Sequence, residues 1–265
     1  MAKEFKDKKY WAVILGGSSG LGLATAKKLS KEGMNIFIVH RDRKSELAEI
    51  EKHFNEIISK GVSFLSFNSD ALKPENRSQI ISEIKKKLKP DGKIRVLVHS
   101  IAKGNLKPMI AVNEPVLNND DFHLTIDAMA VSLYDWTKEL FSNNLFSHDA
   151  RVISFTSEGN QKAWKNYAAV SASKAALEAI TRSIALEFAP YGIRANCVQA
   201  GITDTQSFRM IPGSEQLKAL TKKRNPFKRL TTPEDAANVV YLLTLDEASW
   251  INGAIIPADG GEHIS

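Results

Sequence analysis

The chain has 265 residues, of which 43% are hydrophobic and 25% are charged. These proportions exclude a disordered or fibrous chain, and the length is sufficient for a continuous buried core. The formal net charge of +6 permits an acidic partner or a phosphorylated ligand, but scattered solvated lysines explain it more simply, and we expect no nucleic-acid partner.

The single cysteine, Cys197, lies in an apolar run and is predicted to be a small core residue. No Cys/His spacing is typical of a zinc site, so we expect no metal. The apolar stretch from Trp11 to Gly17 is too short for a signal-peptide core followed by a cleavage site, and nothing approaches the ~20 apolar residues of a membrane span. These features predict a soluble, cytoplasmic protein.

Short apolar runs alternate with helical patterns along the whole chain. The runs predicted as strands are Ala12 to Leu15, Ile36 to Val39, Val62 to Leu65, Val96 to Val98 and Val152 to Phe155, with Ala195 to Val198 and Ala254 to Pro257 as further candidates. Because these runs are almost continuously apolar, they indicate strands covered on both faces, as in a parallel sheet.

Helical patterns lie between the runs. One apolar stripe runs from Leu47 to Ile58 and ends before Gly61, a second runs from Ile80 to Leu88, and a third predicts one longer helix from Phe122 to Leu140. The alternation of strands and helices predicts an α/β fold, a doubly wound parallel sheet of the Rossmann type with right-handed crossovers. With no internal repeat or linker, residues 1–265 are expected to form a single domain.

A glycine-rich loop follows the first predicted strand, with Gly16, Gly20 and Gly22 in the spacing Gly-x-x-x-Gly-x-Gly. Glycines let the backbone turn tightly and approach a pyrophosphate, which the following helix N-terminus stabilises. Such a loop can also be a plain turn, but its place at the start of a βαβ unit favours a dinucleotide site.

The spacing resembles that of the short-chain dehydrogenase/reductase superfamily, and the resemblance extends over essentially the whole chain. Its further motifs are Asp70-Ala71, Ala200-Gly201, Thr205, Pro226 to Arg229, Pro233-Glu234-Asp235 and Asp259-Gly260-Gly261. The resemblance implies these cofactor-binding residues: Gly16, Ser18, Ser19, Gly20, Leu21, Arg41, Asp70, Ala71, Ser100, Ile101, Ala102, Lys174, Gly201, Ile202, Thr203 and Thr205.

The departures from the superfamily are more informative than the matches. Carbonyl-reducing members carry a Tyr-x-x-x-Lys pair, but Val170 stands four residues before Lys174, and the nearest tyrosine is Tyr167. Seven residues are two helical turns, so on one helix both side chains would share a face. The other departures are His99-Ser100-Ile101-Ala102, Met129 and Ala200, in place of Asn-Asn-Ala-Gly, an asparagine and a proline. Together they are similar to the enoyl-acyl-carrier-protein reductases of bacterial fatty-acid synthesis.

This second resemblance implies roles for three residues. Tyr167 would hydrogen-bond the developing enolate, and Lys174 would hold the nicotinamide ribose. Ser157 stands where many members have a second active-site tyrosine and where carbonyl reducers keep a catalytic serine; it is either a substrate hydroxyl or a turn residue at a strand end. His99 is expected to be a hydrogen-bonded packing residue and not an acid. The family also implies a homotetramer.

The second predicted strand ends in His40-Arg41-Asp42-Arg43, with no carboxylate in the first position. A guanidinium can bind a 2′-phosphate with two charge-assisted hydrogen bonds, whereas a carboxylate would repel it, so Arg41 favours NADPH. If the loop turned Asp42 inward, NADH would be preferred instead, and Arg41 can also be a plain solvated charge.

A substrate lid is expected at about residues 206–225, where the family places substrate-covering helices. Five apolar side chains would cover an acyl chain: Phe208, Met210, Ile211, Leu217 and Leu220. Seven basic residues either dock an acidic carrier protein or are simply solvated: Arg209, Lys218, Lys222, Lys223, Arg224, Lys228 and Arg229.

The leading hypothesis is an NADPH-dependent enoyl-acyl-carrier-protein reductase, and the family resemblance implies that its acyl thioester substrate is bound to acyl carrier protein. The alternatives are a 2,4-dienoyl thioester reductase, a 3-oxoacyl reductase and, in another class, a catalytically silent nucleotide-binding regulator.

Overall fold

A single sheet of seven parallel strands forms the centre of the protein in the computed structural model, which describes residues 3–88 and 90–265. In chain order the strands are β1 Tyr10–Leu15, β2 Asn35–His40, β3 Phe64–Asn68, β4 Lys93–His99, β5 Phe146–Thr156, β6 Ile193–Ala200 and β7 Ile255–Ala258. They lie in the order β3-β2-β1-β4-β5-β6-β7. The predicted doubly wound α/β fold is confirmed, and the order reverses between β1 and β4, where such folds bind ligands.

Helices cover both faces of the sheet. They are α1 Gly20–Lys31, α2 Leu47–Ile58, α3 Pro74–Leu88, α4 Asn119–Ile126, α5 Ser132–Ser142, α6 Ala168–Glu187, α7 Gln206–Arg209, α8 Ser214–Arg224 and α9 Pro233–Thr244. Alternate residues of β1 enter opposite layers: Val13 packs with α3, α5 and α6, and Ile14 packs with α1, α2 and α9. This two-sided burial is why the strands read as continuous apolar runs. Within the described ranges, no helix is long and apolar enough to cross a membrane.

The predicted long helix from Phe122 to Leu140 is interrupted. A π-helical segment, Asp127–Val131, separates α4 from α5 and carries Met129, which is buried. On either side of Met129, Thr125 and Ser132 donate side-chain hydrogen bonds to carbonyls four residues earlier, a pattern that bends helices. The spacing of apolar residues in a sequence does not reveal a π-helical turn. Such π-helical segments are frequent at functional sites.

Candidate active site

A cavity of about 490 Å³ opens at the carboxyl ends of the strands, at the point where the strand order reverses. Every residue predicted above as catalytic or cofactor-binding lines this one cavity. The first residues of the lining come from the loop after β1, and others follow β2, β3, β4, β5 and β6, so the fold gathers sequence-distant residues into one site.

The glycine loop is shaped for close approach of backbone to backbone. A Cβ on Gly16, whose φ is +78°, would stand 2.5 Å from the Ser100 carbonyl oxygen, and a Cβ on Gly22 would stand 2.2 Å from the Gly16 carbonyl oxygen. Ser19 precedes α1 without a capping side-chain hydrogen bond, and the first turn of α1 contains no acidic residue. The first amides of α1 therefore have no side-chain acceptor, which fits a bound pyrophosphate.

The end of β2 places charged side chains at the cavity. The Asp42 carboxylate lies 2.7 Å from the Nδ1 atom of His40, and the Asp42 backbone is held by two hydrogen bonds with Asn68. Arg41 makes one ion pair, with Asp70 at 2.9 Å, and its side chain is 60% exposed. Because Asp42 is engaged with His40, Arg41 is the charged side chain that this loop offers to a ligand.

Tyr167 lies immediately before α6 and not within it. Its backbone carbonyl accepts a hydrogen bond from the Ser171 amide at 2.8 Å, and the Trp164 ring stands 5.1 Å from its own, centroid to centroid. On another side the ring is so close to Gly159 that a Cβ there would come within 2.7 Å of its Cε1 atom. Burial raises the pKa of Tyr167, against a smaller opposing effect of Ser157, so the phenol remains a neutral hydrogen-bond donor.

Lys174 is buried on α6, and its Nζ atom donates to the Phe155 carbonyl oxygen at 2.7 Å. Burial lowers the pKa of Lys174 to about 8, against the opposing influence of Cys197 and Glu178. Glu178 is itself fixed by hydrogen bonds from Thr156 and Asn160 at the end of β5. Lys174 therefore remains mostly protonated at neutral pH, at the floor of the cavity.

Ser157 and His99 also line the cavity, and they differ in their hydrogen bonding. The Ser157 hydroxyl is buried at the cavity beside the Tyr167 phenol, and its interaction with the phenol partly offsets the rise in the Tyr167 pKa that burial causes. No hydrogen bond of normal geometry engages this hydroxyl among the described residues, so it is open to a further polar partner. His99 is fully engaged: its Nε2 atom lies 2.7 Å from the Ser132 hydroxyl, and burial together with the Lys174 charge lowers its pKa to about 3. The burial and the hydrogen bond of His99 agree with the expected packing role, although His99 also lines the cavity, and the predicted core position of Cys197 is confirmed.

An apolar wall lies beside Tyr167. Ala128, Met129, Tyr167 and Val170 form a buried cluster against which Leu72, Leu106, Trp164 and Ile211 pack. Of the five residues predicted to cover an acyl chain, Phe208, Met210 and Ile211 line the cavity, but Leu217 and Leu220 do not.

The predicted basic docking group is not a single free surface. Arg209 and Lys218 pair with Asp204, Arg224 pairs with Glu158 and Glu262, and Arg229 pairs with Asp235. The Lys228 ammonium is bound to the Lys223 carbonyl oxygen. Within residues 3–88 and 90–265, Lys222 and Lys223 are the members of the group whose ammonium groups make neither an ion pair nor a hydrogen bond.

Sequence reasoning missed Glu158. It lines the cavity next to Ser157 and binds Arg224, which lies 66 residues further along the chain. No local pattern marks such a pair, because it depends on how β5 and α8 meet in space.

Comparisons with known proteins agree with this architecture. Residues 16–263 match the family described as Enoyl-(Acyl carrier protein) reductase. The chain is 29% identical to an uncharacterized oxidoreductase, YjdA, of Bacillus subtilis (strain 168), over 94% of this chain and 95% of the relative. It is 26% identical to the peroxisomal 2,4-dienoyl-CoA reductase of Mus musculus, over 96% of this chain and 84% of the relative. The crystal structure of an enoyl-[acyl-carrier-protein] reductase (NADH) from Aquifex aeolicus VF5 superposes with a TM-score of 0.83 at 24% identity, covering 100% of this chain and 99% of the other.

Proposed function

The chain belongs to the short-chain dehydrogenase/reductase superfamily, in its enoyl-acyl-carrier-protein reductase family, and on that premise we propose that it reduces the carbon–carbon double bond of a trans-2-enoyl thioester with NADPH. The observation that carries the proposal is the place of Tyr167, seven residues before Lys174 at the start of α6, with Val170 where a carbonyl reducer has its tyrosine.

The displaced tyrosine suits the chemistry of an enoyl thioester. A ketone accepts hydride on the carbon that bears the oxygen, whereas an enoyl thioester accepts it on the β-carbon, and negative charge develops on the thioester oxygen. When bound, the nicotinamide cofactor supplies that hydride. The Tyr167 hydroxyl donates a hydrogen bond to the thioester oxygen as its charge develops, and a proton supplied by solvent then adds to the α-carbon. The Lys174 ammonium would hold the nicotinamide ribose and keep the local potential positive, and the buried Ser157 hydroxyl would contact the substrate.

The preference for NADPH rests on Arg41. Its exposed guanidinium is available for a 2′-phosphate, and the Asp42 carboxylate that would oppose the phosphate is engaged with His40. The Aquifex aeolicus protein is named for NADH, so NADH is the alternative that has to be tested against this geometry.

The substrate is proposed to be an acyl thioester bound in the apolar part of the cavity beside Tyr167. An acyl carrier protein is the proposed carrier, with Lys222 and Lys223 as the remaining basic contacts on α8, and the family resemblance further suggests a homotetramer.

Reduction of a 2,4-dienoyl thioester is the second candidate. It is favoured by the similarity to the Mus musculus dienoyl-CoA reductase over nearly the whole chain. The Tyr167 hydroxyl would donate a hydrogen bond to either thioester. The two candidate functions are therefore distinguished only by which substrate has the higher specificity constant.

The test measures NADPH and NADH oxidation with crotonyl, 2,4-dienoyl and acetoacetyl thioesters, on coenzyme A and on carrier protein. We expect the highest specificity constant for crotonyl thioester with NADPH. A preference for the dienoyl thioester would support the second candidate, and a preference for acetoacetyl thioester would contradict both. NADPH binding without turnover of any thioester would identify a silent regulator.

A further inference from the structure

Helix α8 follows α7, whose Phe208 lines the cavity, and α8 has little apolar contact of its own. Of its eleven residues only Ser214 and Thr221 are buried, and Leu220 is 61% exposed. Its neighbour α7 differs, since Phe208 is buried. Because hydrophobic burial supplies most of the energy that fixes surface helices, the position of α8 must depend on polar contacts.

Those polar contacts are found at two places on α8. Lys218 pairs with Asp204 at 2.9 Å and with the exposed Glu215 on its own helix. At the end of the helix, Arg224 pairs with Glu158 and, at 2.8 Å, with Glu262. The Arg224 pairs are the more deeply buried, with the Glu262 side chain only 1% exposed, so they are less screened by solvent than the Lys218 pairs.

The Glu158 and Glu262 carboxylates connect Arg224 to two loops that line the cavity, the loop after β5 and the loop after β6. Glu158 directly follows Ser157, and Gly159, the next residue, touches the Tyr167 ring. Glu262 accepts a hydrogen bond from the Ile202 amide at 3.1 Å, in the loop predicted to contact the nicotinamide. Arg224 itself does not line the cavity.

We propose that Arg224 is a positioning residue, which anchors the end of α8 and fixes the Ser157–Glu158 loop at the cavity. The proposal rests on the proposed function for its catalytic readout, but the position of α8 can be measured without any reaction. Without Arg224, Glu158 keeps its ion pair with Lys162 at 2.7 Å. Glu262 would lose its cationic partner while remaining buried, and α8 would lose its deepest attachment.

The test compares Arg224→Met with Lys222→Met. Lys222 lies on the same helix and loses the same charge, but it contacts neither carboxylate. In hydrogen exchange on the protein without ligands, Arg224→Met should accelerate exchange of residues 214–224 about tenfold, and Lys222→Met should leave it unchanged. Equal exchange in the two variants would overturn the proposal.

Kinetics provide a second readout. Arg224→Met should raise KM for the enoyl thioester about tenfold with a smaller change in kcat, while the NADPH dissociation constant stays within about twofold. Arg224→Lys should recover part of the loss, since an ammonium can reach one of the two carboxylates. A uniform fall in kcat that tracks the fraction of folded protein, with no rescue by lysine, would show a merely structural role and contradict the proposal.

Glu158→Gln keeps the Arg224–Glu262 pair and serves if Arg224→Met does not fold. It should accelerate exchange in α8 less than Arg224→Met does, and adding it to Arg224→Lys should have a less than additive effect. Full additivity would contradict action through Glu158. If no thioester is reduced by the unmodified protein, the proposed function fails, yet the exchange measurements still decide the role of Arg224.

Discussion

Tyr167 is held by its neighbours on several sides: Trp164 packs against its ring, Gly159 leaves space for it, and its carbonyl accepts the Ser171 amide. Its place at the start of α6 puts it one turn before Val170, the position from which carbonyl reducers act. A donor fixed in this way needs no rearrangement when charge develops on a substrate oxygen, which is the condition for effective electrostatic stabilisation.

Tyr167→Phe should lower kcat by about 10²- to 10³-fold, because it removes one oxyanion donor and leaves the ring in place. The NADPH dissociation constant should be unchanged. Tyr134→Phe, at a tyrosine that is 40% exposed, is the matched control and should be silent. Full activity in Tyr167→Phe would remove this residue from the proposed mechanism.

The pH dependence should show the lowered pKa of Lys174. The ammonium form is the active one, so kcat/KM should be level below a pKa of about 8 and decline above it as Lys174 loses its proton. Burial raises the pKa of Tyr167, so a decline near pH 8 cannot come from the phenol. A profile that stays flat to about pH 10, near the unperturbed lysine value, would contradict this role for Lys174.

Arg41→Ala should weaken NADPH binding far more than NADH binding, because only NADPH carries the 2′-phosphate. A loss of about tenfold or more is expected, and it should diminish as salt screens the charge. Lys44→Ala, which removes an exposed charge three residues further on, is the control and should affect both cofactors little. Equal losses for NADPH and NADH in Arg41→Ala would refute the phosphate contact.

These residues could be predicted because each stands in a local pattern: a loop after a strand, a tyrosine seven residues before a lysine, an arginine at a strand end. The Arg224 pairs could not, since they join α8 to residues 66 and 38 positions away. The engagement of Asp42 with His40 was equally hidden, because it depends on how the backbone turns after β2.

Among the secondary-structure elements, the strands were the easiest to predict from the sequence, and the interruption of the long helix between α4 and α5 was the hardest. All seven apolar runs are strands, although β3 begins at Phe64 and not at Val62. The π segment between α4 and α5 was not foreseen, because an apolar stripe keeps its appearance when one turn gains a residue. The unit formed by β1, the glycine loop and α1 behaves as expected, since close packing there excludes side chains.

Gly22→Ala should therefore impair nucleotide binding. The added Cβ would meet the Gly16 carbonyl oxygen at 2.2 Å, so the loop must shift, and the NADPH dissociation constant should rise about tenfold or more. Gly61→Ala is the control: it strains a turn with φ of +78° and open space around it, and should cost about 1 kcal/mol of stability without affecting NADPH. Unchanged NADPH affinity in Gly22→Ala would contradict the assignment of the loop.

At the scale of the whole molecule, the two ends of the sheet carry different chemistry. The carboxyl ends form the cavity, while at the amino ends Asp149 accepts hydrogen bonds from Arg95, Arg151 and Arg194. Arg95 and Arg151 also bind carbonyl oxygens at the end of α9, so one carboxylate ties three strands and a helix together. Burial opposes the charge of Asp149, yet hydrogen bonds from Arg151 and Arg95 outweigh it and bring its pKa to about 2.

Asp149→Asn should destabilise the fold by about 3–5 kcal/mol, because it leaves the buried Arg151 guanidinium without an anion and leaves Arg95 with only the exposed Asp246. Asp91→Asn, which breaks an exposed pair with Lys9, should cost at most about 1 kcal/mol. The free energy of unfolding in denaturant measures both effects.

The pKa of Asp149 is lower in the folded protein than in the unfolded chain. Its contribution to the free energy of unfolding is therefore complete above the unfolded pKa of ~3.9 and is lost as the pH falls through about 2. Equal effects of the two variants would contradict the cluster's role.

The central claim, that the displaced Tyr167 makes this protein a double-bond reductase, is tested most directly by competition. Equimolar crotonyl and acetoacetyl thioesters are offered together with limiting NADPH, and the products are separated and quantified. Butyryl thioester should be the predominant product, and Tyr167→Phe should lower the initial rate of its formation by about 10²-fold or more. Predominant 3-hydroxybutyryl thioester would mean that the site reduces a carbonyl, and it would contradict the account.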